Sequence, residues 1–110
     1  MTQGERYFAE RKNFYERMTA GELTGSEKQV KWAKDIRAKF TRRILDREDF
    51  GLDMDNREEM TQMFREWAEK VAAETSAKKW IEFNYAGYAD IIEAAIDAIV
   101  DGEPLPDPVF

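Results

Sequence analysis

The chain has 110 residues, the length of one domain able to bury roughly two-thirds of its unfolded surface, and its 43% hydrophobic and 13% aromatic content supplies a core despite 36% charged residues. Cysteine and histidine are both absent, which excludes disulfides, thiolate and imidazole catalysis and nearly every zinc site. The net charge of −6 disfavours a general attraction to polyanions.

Residues 3–20 read as a first helix, with Tyr7, Phe8, Phe14, Tyr15 and Met18 toward one side and Gly21 as the stop. Packing accounts for these aromatics, and an exposed patch for a partner is the alternative. A second helix is predicted over 26–46. Ser26 is its N-cap, Gln29 stands where a capping box needs it, and Leu23 is placed to staple the start. Val30, Ala33, Ile36, Phe40 and Ile44 recur at helical spacing. Arg37 falls inside that apolar arc, where a guanidinium needs a carboxylate or several carbonyls. A structural salt bridge is the plain expectation for it, and a ligand contact the alternative.

Residues 48–54 break the periodicity, and Gly51 supports a loop. A third helix is predicted over 56–75, with Asp55 and Glu58 at capping-box spacing and Met60, Met63, Phe64, Trp67, Ala68 and Val71 on its apolar face. Ser76 opens a short fourth helix over 77–84. A fifth, over 89–101, carries Ile91, Ile92, Ala95, Ile96, Ile99 and Val100 over a wide arc, and Gly102 ends it. No strand pattern of useful length occurs. The expected architecture is all-α, a compact single domain of about five helices over 1–103 with a Pro-rich tail over 104–110. The expected core is Phe14, Val30, Ile36, Phe40, Met63, Phe64, Trp67, Trp80, Ile92, Ala95 and Ile99, with Trp32 at the edge of the apolar arc.

The charge is segregated. Residues 26–47 hold eight bases against three acids, residues 48–75 nine acids against three bases, and residues 76–110 seven acids against two bases. Three readings follow. The basic second helix pairs with the acidic third, in exposed ion pairs that are individually weak. Alternatively, Lys28, Lys31, Lys39, Arg42 and Arg43 form a stripe for nucleic-acid phosphates, although Asp35 and Asp46 interrupt it. Or Glu58, Glu59, Glu66 and Glu69 with Asp90, Glu93, Asp97 and Asp101 form an acidic face for a basic site on another protein. Asp53-Met-Asp55-Asn56 opens like a calcium loop but has Glu58 and Phe64 where Gly and Glu belong, so no metal or other cofactor is expected. Without histidine or cysteine, and with no carboxylate pair to nominate, no enzymatic activity is expected either. No apolar run approaches the 18 residues of a membrane span, and the start lacks the layout of a signal peptide, so a cytoplasmic location is the expectation.

The stretch Leu23-Thr-Gly-Ser-Glu-Lys-Gln-Val-Lys-Trp-Ala-Lys-Asp-Ile-Arg37 resembles a pattern found in many small proteins of phages and other mobile elements. Thr75-Ser-Ala-Lys-Lys-Trp-Ile81 is similar to a second segment of those proteins, with Lys79 where they often hold an aromatic. The resemblance implies a mobile-element origin and supplies no catalytic residues. By analogy with other small acidic phage proteins it suggests an inhibitor of a bacterial defence nuclease complex, of the anti-CRISPR kind, that blocks a basic nucleic-acid groove. The alternatives are a nucleic-acid-binding accessory protein using residues 28–43 and a purely structural module.

Overall fold

A computed structural model describes residues 2–107 of the chain, with the backbone alone for Gln3. It is an all-α domain of five helices: α1 (Gln3–Ala20), α2 (Glu27–Arg47), α3 (Arg57–Ala72), α4 (Ala77–Ala86) and α5 (Tyr88–Asp101). A short 3₁₀ turn, Glu48–Gly51, continues directly from α2. No strand is present among the described residues, and none of the helices is long and apolar enough to cross a membrane.

Local chemistry sets most helix ends. The Ser26 hydroxyl accepts from the Gln29 amide at 3.2 Å, and the Gln29 side chain accepts from the Ser26 amide at 3.1 Å, which completes the expected capping box. Ser76 caps α4 through the Lys79 amide. Gly102 ends α5 in the left-handed conformation, φ 69°, where a side chain would be strained. The expected cap of α3 is not made. Its N-cap is Asn56, with φ −103° and ψ 31°, and no side chain bonds there. The backbone reaches that point through consecutive turns, so it lacks the extended conformation that aims a capping side chain back at the helix. Helix α3 also stops at Ala72 rather than 75, because Glu74 and Thr75 leave it to join α2.

That junction is the most specific feature of the fold. The Thr24 amide donates to the Thr75 carbonyl at 2.7 Å, and the Ala77 amide donates to the Thr24 carbonyl at 2.9 Å, a one-residue parallel bridge. Gly25 lies against it with φ +144°, and a Cβ there would stand 3.2 Å from that of Ala77. The two stretches that carry the sequence resemblance therefore meet, and α2 and α4 start from this bridge and keep in step. Trp32 reaches Tyr85, and Phe40 reaches Trp80, Phe83 and Tyr88.

Phe40 is the hub of the core. Its ring lies 6.4 Å from that of Trp67 on α3, 5.7 Å from Trp80 on α4 and 5.9 Å from Tyr88 on α5, so one side chain ties four helices together. Phe14 and Met18 of α1, Ile36 and Ile44 of α2, Phe64 of α3 and Ile92, Ala95 and Ile99 of α5 are buried around it. Two core expectations change. Met63 is 43% exposed, because the buried column of α3 runs 60, 64, 67, 68 and 71 and position 63 lies beside it. Val30 is only half-buried, at the edge of the core. Val100 is likewise exposed on α5. After Gly102 the chain folds back onto α3: Leu105 packs against the core and the Trp67 Nε1 donates to the Pro106 carbonyl at 2.9 Å. Residues 108–110 of the expected tail lie outside the described residues.

Candidate functional site

One buried carboxylate joins α1, α2 and α3. Glu48, 1% exposed, sits where α2 passes into the 3₁₀ turn. Arg11 of α1 donates to its Oε1 at 2.7 Å, and Arg65 of α3 grips both oxygens at 2.9 and 3.1 Å. Arg11 also donates to the Leu45 carbonyl, and the Arg65 guanidinium lies over the Phe14 ring. Charge-assisted bonds from two directions thus hold three helices to one point. Nothing near Glu48 in the sequence announces this, since its partners lie 37 and 17 residues away.

Around this centre opens a cleft of about 590 Å³, with Tyr7 and Leu52 at its rim and Glu10, Asp49, Arg57 and Glu58 among its walls. The loop that follows exposes Leu52 and, between Asp53 and Asp55, Met54, and α1 exposes Tyr7 and Phe8. The large α1 side chains therefore divide: Phe14 and Met18 are core, Tyr15 is half-buried, and Tyr7 and Phe8 face outward. Among the described residues, Glu10, Asp49, Asp53, Asp55, Glu58 and Glu59 enter no ion pair. This acidic pole combines unpaired carboxylates with exposed apolar side chains.

The rest of the expected acidic face is scattered and partly occupied. Glu93 is gripped bidentately by Arg47 at 2.8 Å for each bond, and that contact holds its pKa below the ordinary carboxylate range. Glu69 pairs with Arg17 at 3.1 Å, and Glu66 accepts from Gln62 at 3.0 Å. Asp90, Asp97 and Asp101 are exposed on α5. Glu58 and Glu59 alone of the expected residues belong to the acidic pole. Glu10, Asp49, Asp53 and Asp55 were missed, although the dense acids of 48–59 were a legible signal.

The basic helix does not pair with α3 in the expected way. Lys39 bridges to Asp35 within α2 at 3.0 Å, and Arg47 reaches α5. The ion pair that joins this part of the chain to α3 has the opposite polarity, acid Glu48 to Arg65. Lys28, Lys31, Arg42 and Arg43 make no ion pair among the described residues. Of the expected stripe, Lys39, Arg42 and Arg43 line a shallow groove of about 350 Å³ against Asn84, Gly87 and Tyr88.

Arg37 is 3% exposed and has no carboxylate partner, so the expected salt bridge is replaced by the carbonyl alternative. Its two terminal nitrogens donate to the Thr19 and Gly21 carbonyls at 2.8 Å each, which closes the C-terminus of α1. Its Nε has no protein partner, and burial pushes its pKa down. The adjoining cleft, about 290 Å³, is walled by Glu69, already paired, and by Glu74, which accepts from the Ser76 amide at 3.0 Å and faces Lys79 at 3.4 Å.

Among the described residues no group of three or more carboxylates could hold a metal ion. No protein-family model, no curated protein and no solved structure matches this chain.

Proposed function

We propose that this chain acts by binding a protein, and that the acidic pole at the Glu48 end is the surface that binds. What supports the reading is the juxtaposition of six unpaired carboxylates with four exposed apolar side chains, Tyr7, Phe8, Leu52 and Met54, on the segments that converge on one cleft. Carboxylates steer encounter with a basic partner, and desolvated apolar anchors supply affinity that exposed charge alone does not. Glu48 and its two arginines give these segments a rigid base, so little ordering is required on binding.

A partner that fits is a protein with a basic nucleic-acid groove. The resemblance to phage proteins suggests its most concrete form, a bacterial defence nuclease complex whose groove the acidic pole occupies. The test is a pull-down from nuclease-treated bacterial lysate with the unmodified chain and with Asp55→Lys/Glu58→Lys/Glu59→Lys. Support is a nucleic-acid-binding protein retained by the first, lost by the second, and displaced by its own nucleic acid. Equal retention by both, or retention of nucleic acid alone, sinks the reading.

A further inference from the structure

We propose that the face where α2 meets α4 is a binding strip for single-stranded nucleic acid, with Trp32 and Tyr85 as its stacking platform and Arg42 and Arg43 as its phosphate contacts. This proposal is independent of the acidic pole and uses the opposite charge. It rests on three observations.

The first is an aromatic pair held at the surface. Trp32 is 44% exposed and Tyr85 75% exposed, yet their rings meet edge to face at 6.0 Å, and the other two tryptophans are buried. Large rings held at the surface in fixed mutual geometry present faces on which bases stack, whatever the base. The second is the alignment of cations with that pair. Residues 28, 32, 35, 39 and 43 recur at i, i+4, i+7, i+11 and i+15, so Lys28, Trp32, Lys39 and Arg43 lie in one column of α2. The column spans about 22 Å at 1.5 Å per residue. The third is the groove at the far end of the column, where Arg42 and Arg43 stand without ion-pair partners beside Asn84, the residue preceding Tyr85.

Two acids enter the strip: one occupies Lys39, and Lys28, Arg42 and Arg43 are left without ion pairs among the described residues. Asp35 is held by Lys39 at 3.0 Å, and Asp46 makes no ion pair among the described residues. Asp90 lies near Gly87 at the start of α5, so phosphates are assigned to the arginines and not to that helix end. The occupant is single-stranded because a duplex hides its base faces, while unstacked bases offer them to an aromatic pair. An acidic peptide would use the same cations but would leave the ring pair without a function.

The test is fluorescence anisotropy of the full chain with a labelled 12-nucleotide oligothymidine and its duplex counterpart, at 50 and 200 mM salt. The expected result is binding of the single strand at low salt, weakened by added salt and accompanied by quenching of the exposed tryptophan. Trp32→Ala should weaken it about 10-fold, the size of one lost base stack. Tyr85→Ala should weaken it too, and its exposure keeps that variant folded. Arg42→Gln/Arg43→Gln should reduce binding and its salt slope, whereas Lys12→Gln/Lys70→Gln, with the same change in charge on α1 and α3, should have little effect. No binding at 50 mM salt, equal affinity for the duplex, or indifference to both aromatic substitutions would overturn the proposal, as would capture of an acidic peptide in place of the oligonucleotide. Loss of the acidic pole's binding by Glu58→Lys/Glu59→Lys leaves these results unchanged, so the two proposals fail separately.

Discussion

Two buried charges, Arg37 in the middle of α2 and Glu48 just past its last turn, solve the same problem by different chemistry. At the C-terminal end, Glu48 is buried with two arginines in direct contact. At the midpoint of the helix, Arg37 is buried with two α1-end carbonyls and no counter-charge. A full charge answered by full charges is strongly coupled: removing one member strands the others in a poorly hydrated place. A charge answered by dipoles is loosely coupled, because part-buried carbonyls beside an open cleft recover water when the guanidinium leaves. Glu48 therefore holds three helices at one point, while Arg37 mainly finishes α1.

This contrast can be broken by mutation. Glu48→Ala should be the most damaging change, costing about 3 kcal/mol or more by denaturant unfolding, since Arg11 and Arg65 lose their common acceptor. Replacing all three, Glu48→Leu/Arg11→Met/Arg65→Met, should restore most of that loss. If the triple variant is no better than the single, the coupling between these charges is not the source of the stability. Gly25→Ala comes next, at about 1–3 kcal/mol, because it places a side chain at φ +144° and against Ala77. Arg37→Met should cost only about 1–2 kcal/mol, the worth of its hydrogen bonds to the two carbonyls offset by relief of a buried charge. A loss as large as that of Glu48→Ala would erase the distinction between the two buried charges.

The smallest effect is a pH dependence in the cleft beside Arg37. The Ser76 amide, with Lys79, holds the Glu74 carboxyl below the ordinary carboxylate range. A depressed folded-state pKa gives stability that is fully present above the unfolded value and is lost as pH falls through the folded one. Melting temperature should therefore decline between about pH 5 and pH 3, and Glu74→Gln should shallow that decline. An identical slope in the variant would show that this carboxylate carries no acid-linked stability.

What could be read from the sequence was what neighbours in the sequence decide. The capping box at Ser26, the stops at Gly21 and Gly102 and the periodic faces of α2, α3 and α5 all depend on residues within one or two turns. The remainder depended on backbone geometry and on distant partners. Met63 sits on the apolar side of α3 by spacing, but the buried column is narrower than the wheel allows. Asp55 had the right spacing for a cap and the wrong backbone. Arg37 was visible as an anomaly in an apolar arc, yet helix-end carbonyls leave no mark in sequence, so its partners could not be named. Trp32 was visible in the same way, and only Tyr85, arriving from α4, gives its exposure a reading. The acidic residues were all legible, but which of them stay unpaired depended on where Arg17 and Arg47 happened to reach.

The bridge at Thr24 also bears on how the chain finds its fold. Thr24 and Thr75 stand 51 residues apart, and their pairing encloses α2 and α3 entirely. Closing so long a loop is entropically costly before any contact within it compensates. The α1–α2 hairpin and the α3 helix should therefore form first, with α4 docking after the barrier. On that view Gly25→Ala speeds unfolding and leaves the refolding rate nearly unchanged, a distinction that a chevron plot of the variant reads directly.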